Sequence, residues 1–205
     1  MNTRNIILAV VAVVLLAAVF YALSGGETPE QYQSKIEKER ERQFKYLKYN
    51  ADSPLTTEQK NELIELDYYP IDQKYRVKGR MVPVENRKML EIPLTDGNVE
   101  KYIKHSYVEF ELDGKPQRLL LLQSPREPDL RKFFLAFADD TSAEETYGGG
   151  RYLDVKQEGQ HTVLMDFNLA YNPYCAYNPE YACPIPPKEN LLEVPVRAGE
   201  KNYIK

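Results

Sequence analysis

The stretch SYVEFELDGKPQRLLLL, Ser106 to Leu122, constrains the fold most. Asp113-Gly114 separates two segments rich in apolar residues, and an Asp-Gly pair is suited to a type I′ turn, in which both central residues need positive φ. A two-residue turn there sets Val108 opposite Leu119 and Phe110 opposite Gln117. Val108 and Phe110 then share a face, because side chains alternate along a strand. From Tyr75 onward, other short segments carry the same period: KYRVKGRMVPV, RKMLEIPL, KFFLAFAD, GRYLDVKQEGQHTVLMDFN and, last, LLEVPVRAGE. The expected fold is mainly β, a sandwich or barrel-like antiparallel sheet of short strands with N-terminal helices, and α+β is the alternative. A chain of 205 residues suffices for one domain with a real core.

Before Tyr75 the signals are helical. Thr28-Pro29-Glu30-Gln31 sets a cap, a proline at the first helical position and a glutamine at the third. That helix is expected to run to about Tyr49, with Tyr32, Ile36, Phe44 and Leu47 near one face and the EKERER run as a solvated face. Thr56 and Gln59 have capping-box spacing for a second, short helix.

The N-terminus suggests location. Ile6 to Leu23 is a run of 18 residues without a charge, about 27 Å as a helix and close to a bilayer core. Arg4 precedes it, and Glu27 and Glu30 follow. The expectation is a single-pass signal anchor, with the membrane as partner through residues 6–23 and the domain outside the cytoplasm. The alternative is a cleaved signal peptide, with Ala22-Leu23-Ser24 at the cut and a secreted or periplasmic product. The resulting divisions are 1–26 for the anchor or signal, 27–50 for a linker helix and 51–205 for the β-rich domain. Lys plus Arg is 27 and Asp plus Glu is 31, a net charge of −4, which argues against a nucleic-acid partner.

The segment DFNLAYNPYCAYNPEYACPIPPKEN, Asp166 to Asn190, has neither helical nor strand period. Together with YYPIDQKYR (Tyr68–Arg76), ETYGGGRYLD (Glu145–Asp154), CPIPPKENLL (Cys183–Leu192) and RAGE (Arg197–Glu200), it resembles the bacterial domain of unknown function 1684 family over roughly Phe44 to Glu200. The resemblance implies that the glycine-rich and Tyr/Asn/Pro segments belong together, and that an anchor would be an addition to the module. It implies no catalytic residue and no reaction.

Candidate chemistry follows from the residues. The only two histidines, His105 and His161, and the wide Cys175–Cys183 spacing suit no metal set, so no metal and no cofactor are expected. In an exported domain Cys175 and Cys183 are expected to form a disulfide, contributing about 2.5 kcal/mol in the chain-entropy model; reduced, buried thiols are the alternative. Tyr147–Arg151, YGGGR, leads into a strand rather than a helix, so it reads as a turn with close backbone approach before it reads as an anion loop. Asp166, Glu145 and Asp154 are the carboxylates nearest these motifs. A two-residue turn at Glu158-Gly159 sets Val155 opposite Thr162, Leu153 opposite Leu164 and Arg151 opposite Asp166. This Arg151–Asp166 ion pair is expected at the floor of a site lined by Tyr147, Asn168, Tyr171 and Asn172. Three functions remain: a module binding a small polar or sugar-like ligand through Tyr147, Arg151, Asp166, Asn168, Tyr171 and Asn172; a hydrolase using Asp166 with Arg151 as catalytic residues; and a structural protein contacting an envelope partner. The Tyr/Asn/Pro segment itself is expected to be a rigid clasp that closes one end of the domain and borders any cleft there.

Overall fold

Seven strands form one antiparallel sheet: β1 (Arg76–Pro83), β2 (Met89–Pro93), β3 (Val99–Leu112), β4 (Lys115–Gln123), β5 (Lys132–Phe137), β6 (Arg151–Gln157) and β7 (Thr162–Asp166). Their order is β1-β7-β6-β5-β4-β3-β2, and β1 also pairs with β3. Six strands therefore close into a barrel, with β2 as an added strip. Strand β3 makes the closure possible. Val99–Ile103 pairs with β2, and Ser106–Glu109 pairs with β1. Between them the register against β4 slips at Lys104/Ser106. Such a bulge bends a strand and raises its twist, which lets one long strand leave one neighbour and join another. These coordinates are a computed structural model and describe residues 10–16 and 27–203.

The β3–β4 hairpin is as expected. Asp113 and Gly114 both have positive φ, at 50° and 73°, and Val108 lies opposite Leu119 and Phe110 opposite Gln117. Inward residues from all around the barrel, among them Val108, Leu119, Leu121, Leu135, Phe137, Leu153, Val155, Val163 and Met165, make one buried core.

The β6–β7 hairpin differs from expectation. Lys156 pairs with Leu164 and Gln157 with Val163, which leaves four residues, 158–161, between the strands rather than a two-residue turn. Glu158 and Gly159 do not take positive φ, as a type I′ turn would need. The Gln157 side chain instead donates to the carbonyls of Gly159 (2.7 Å) and Gln160 (2.8 Å) and holds the wider loop. The resulting shift of three residues exchanges the faces of β7 relative to β6. Val163 and Met165, expected to point away from Leu153, join it in the core. Arg151 does not face Asp166, whose register partner is Arg76 on β1.

The closing segment LLEVPVRAGE is also not a strand. Leu192, Val194, Val196 and Ala198 alternate into the core as a strand would, but Pro195 has no N–H to offer a ladder. Side chains serve this backbone instead, as described below. A related device seals the barrel between β4 and β5, whose only register pair is Leu122↔Phe134. The fully buried Asn190 side chain fills the gap: it accepts from Leu120 N–H (2.6 Å) and donates to the carbonyls of Leu120 (3.0 Å) and Ala136 (2.8 Å).

Among the described residues three α-helices precede the barrel, α1, described over residues 10–16, α2 (Pro29–Tyr49) and α3 (Thr57–Glu62), with a 3₁₀ turn at Gln73–Tyr75 leading into β1. A fourth, α4 (Tyr174–Tyr177), lies in the clasp. The Thr28–Gln31 and Thr56–Gln59 capping boxes both form. The chain divides into two compact units, 1–37 and 38–205, so residues 38–49 of α2 group with the barrel. Most of the Ile6–Leu23 run lies outside the described residues. Among the described residues no helix is long and apolar enough to cross a membrane.

Candidate functional site: a tyrosine-walled cleft

The clasp lies over the outer face of β5 and β6. Tyr152 points outward from β6 and is nevertheless buried, packed with Ala136, Cys183, Phe134, Tyr171 and Cys175. Its hydroxyl donates to the Pro184 carbonyl at 2.7 Å, and its backbone exchanges hydrogen bonds with Tyr171 at 2.9 and 3.0 Å. Ile185 N–H reaches the Pro93 carbonyl, and Thr95 N–H the Cys183 carbonyl. The Tyr/Asn/Pro segment is thus fixed at both ends on one flank of the barrel.

Two buried polar clusters brace this flank, the first holding the closing segment and the second the Tyr/Asn/Pro segment. In the first, Arg151 is 1% exposed and its guanidinium bonds to the Asp139 carboxylate at 2.8 Å. It also donates to the carbonyls of Val196 (2.8 Å), Ala198 and Glu200 (3.3 Å). Asp139 further accepts from Thr141 N–H (2.8 Å), Thr141 Oγ1 (2.6 Å) and Val196 N–H (3.2 Å). This pair therefore replaces the missing ladder of the closing segment. Gly150, just before Arg151, has φ +84°, and a Cβ there would lie 2.5 Å from the Phe137 carbonyl oxygen. The YGGGR motif is a tight approach that seats the arginine.

In the second cluster Glu200 is 1% exposed. Its carboxylate accepts from Tyr177 Oη, from Gln43 Nε2 (3.0 Å) and from Asn172 N–H (3.0 Å). Tyr68 Oη donates to Gln43 Oε1 at 2.9 Å, which orients the amide. Burial raises the Glu200 carboxyl above the usual carboxylate range, against the pull of these donors.

Beside this cluster opens a cleft of about 540 Å³, within the size range of small-molecule sites. One wall is the second half of α2, with Glu39, Arg42, Gln43 and Tyr46. The other is β6 and the clasp, with Asp154, Tyr171, Asn172, Tyr174 and Tyr177. The hydroxyls of Tyr46 and Tyr174 meet at 2.7 Å, and Tyr46 Oη also reaches the Asp52 carbonyl at 3.2 Å. Tyr171 Oη lies 3.4 Å from Asp154 Oδ1. Asp154 keeps a solvent-facing side, yet burial by the surrounding protein raises its carboxyl above the usual range. The Tyr171 bond and the charges of Lys132 and Arg42 act the other way.

Of the residues expected to line a site, Tyr171 and Asn172 do line this cleft. Arg151 is enclosed with Asp139, not Asp166, so the expected floor pair does not exist. Asp166 accepts from the backbone and side-chain amides of Asn168, at 3.1 and 3.0 Å, at a 3₁₀ turn. Asn168 is fully buried and clamps the backbone of Asp72 at 3.0 and 2.8 Å. Tyr147 reaches Cys175 Sγ at 3.6 Å. Glu145 is a half-buried partner of Arg197, and neither it nor Asp166 lines the cleft with Asp154. The separation of Arg151 from Asp166 removes the ground for a hydrolase built on that pair. Asp154 and Tyr174 belong to segments that the sequence singles out, whereas Tyr46 and Arg42 carry no motif.

Cys175 and Cys183 are adjacent thiols, with Cys175 N–H donating to Cys183 Sγ at 3.0 Å. A hydrogen bond from the Cys183 thiol pulls Cys175 down to about 6, against its burial. Burial, with a smaller effect from Arg87, lowers His105 to about 4, and its ring packs on Phe133 at 4.4 Å. Among the described residues no group of His, Cys, Asp or Glu is arranged to hold a metal ion.

Fold and site together define a closed six-stranded barrel with a clasp-bordered cleft on its flank. The chain belongs to the family described as protein of unknown function DUF1684, whose model matches residues 61–201. It is similar to the solution NMR structure of the uncharacterized protein from gene locus rrnAC0354 of Haloarcula marismortui, with 29% identity and a TM-score of 0.66, over 84% of this chain and 95% of that one. No curated protein matches.

Proposed function

We propose that this protein is a membrane-anchored, extracytoplasmic binding module whose clefted barrel takes a small polar, sugar-like ligand. The observation that carries this reading is the cleft, about 540 Å³ in volume, with the rings of Tyr46, Tyr171 and Tyr174 and the polar groups of Asp154 and Asn172 on its walls. Tyrosine offers a flat apolar face and a hydroxyl, the combination that suits a ring bearing polar groups. The wall is pre-set by the Glu200 cluster and by the Tyr152–Tyr171 backbone pair, so little ordering cost falls on binding.

A thermal-shift screen of monosaccharides, polyols and small amines on the full chain tests this. At a hundred times its Kd, a ligand stabilises by about 2.7 kcal/mol, and Tyr46→Ala and Tyr174→Ala should remove the shift. A shift unchanged in both variants would place binding elsewhere.

The anchor reading rests on the uncharged Ile6–Leu23 run. In an oxidising compartment the adjacent Cys175 and Cys183 are expected to be joined. The chain should then resist carbonate extraction from membranes, and its intact mass should fall two hydrogens short of the dithiol form. A carbonate-soluble protein with two free thiols would contradict both expectations.

A further inference from the structure

Hydrogen-bond donors and acceptors in the cleft are not balanced. Arg42, a cation on its wall, is held by Glu39 through Nε (2.9 Å) and an Nη (2.7 Å). Gln43 gives its Nε2 to Glu200 and its Oε1 to Tyr68. If Tyr46 donates to the Asp52 carbonyl, the proton between the two hydroxyls is supplied by Tyr174, and the lone pairs of Tyr174 Oη remain open. Asn172 donates through Nδ2 to the Lys201 carbonyl at 2.7 Å. Its Oδ1 is buried and has no hydrogen-bond partner. Asp154 has no ion pair among the described residues, and its one hydrogen bond is the long one from Tyr171. Apart from the remaining N–H groups of Arg42, whose side chain is 80% exposed, the donors of this wall are engaged and its acceptors are not. Such a wall leaves a neutral polyol short of donors to accept from, whereas an ammonium supplies three. The tyrosine rings supply the faces against which a cation is attracted.

We infer that the cleft selects a ligand bearing an ammonium group, an amino sugar or a small alkylamine, with the cation held by Asp154 between the rings of Tyr171 and Tyr174. This inference rests on the binding reading above and narrows its ligand class. Arg42 opposes it only weakly, because Glu39 pairs with it and its side chain is 80% exposed, where solvent screens the charge. Asn172 Oδ1 is the second acceptor that such a donor would satisfy, after a small opening of the wall.

The test compares glucosamine with glucose, which differ by an ammonium for a hydroxyl, on the ¹⁵N-labelled full chain in detergent micelles near neutral pH. Glucosamine should shift the amide resonances of Leu153, Asp154, Tyr171 and Asn172 and bind about tenfold or more tightly than glucose, the ratio equivalent to about 1.4 kcal/mol. Asp154→Asn should abolish the preference and bring glucosamine and glucose to the same affinity. Equal binding of the two sugars by the wild type would overturn the ammonium inference while leaving the cleft a binding site. If neither these sugars nor ethanolamine moves any cleft resonance, the binding reading fails and the inference with it. The wild-type comparison decides the matter without the variant.

Discussion

Replacing Arg151 with alanine should lower the unfolding free energy by about 3–5 kcal/mol, the usual cost of removing one partner from a buried ion pair. The substitution strands the Asp139 carboxylate, whose side chain is fully enclosed. It also leaves the carbonyls of Val196 and Ala198 without their donor. The surface pair Arg80–Glu109 provides the control. Its distance is shorter, at 2.6 Å, but its side chains are 70% and 37% exposed, so Arg80→Ala should cost about 0–1 kcal/mol. Urea unfolding of the two variants compares them directly, and the Arg151 variant should melt roughly 10 °C lower than the control. Equal losses would show that the closing segment does not depend on the arginine. Asp139→Ala should match Arg151→Ala, because each change orphans the other charge.

Glu200→Ala is the second large effect. It strands three donors, on Tyr177, Gln43 and Asn172, and an orphaned buried donor costs about 1–3 kcal/mol. Relief of the buried charge offsets part of this, so a net loss of about 3 kcal/mol is expected. Glu200→Gln behaves differently. Its carbonyl can accept from Asn172 and Gln43 while its amide donates to Tyr177 Oη. The pH dependence separates the two chemistries. Glu200 titrates higher in the fold than in the unfolded chain, so over that interval the folded state holds the extra proton. Its contribution is therefore most favourable below the ordinary Glu range, and it is lost as pH rises towards the folded-state value. The stability of Glu200→Gln relative to wild type should rise across that window and then level off. A difference that is flat with pH would mean that Glu200 titrates normally.

The hairpin at Asp113-Gly114 was legible because two adjacent residues decide the turn, and the turn decides the register. The hairpin at Glu158-Gly159 was misread for the same kind of reason. A glutamate at the first turn position disfavours positive φ, and Gln157 stabilises a longer loop instead. That slip of three residues separates Arg151 from Asp166 and places Val163 and Met165 in the core. The true partner, Asp139, lies twelve residues before Arg151, and no local pattern points to it. Barrel closure was equally hidden, since it depends on one bulge that lets β3 serve both β2 and β1. The irregular clasp was legible from its Tyr, Asn and Pro content, and its Tyr171 and Asn172 line the cleft. The opposite wall was not, because Arg42 and Tyr46 sit in a charged helix that reads as a solvated face. Glu200 sits in the RAGE motif, but nothing local marks it as buried: one glutamate looks like any surface carboxylate until three donors are found around it.

Amide hydrogen exchange at Tyr171, Asn172 and Glu200 tests the claim on which the rest depends, that the clasp is a rigid wall. These three N–H groups bond to the Tyr152 carbonyl, the Glu200 carboxylate and the Ala170 carbonyl, at 3.0, 3.0 and 2.9 Å. If the wall is pre-set, they should exchange as slowly as core amides of β3 and β4, through global unfolding. Exchange at the rate of a solvated loop, with β3 and β4 still protected, would mean that the clasp opens freely and that no preformed cleft exists.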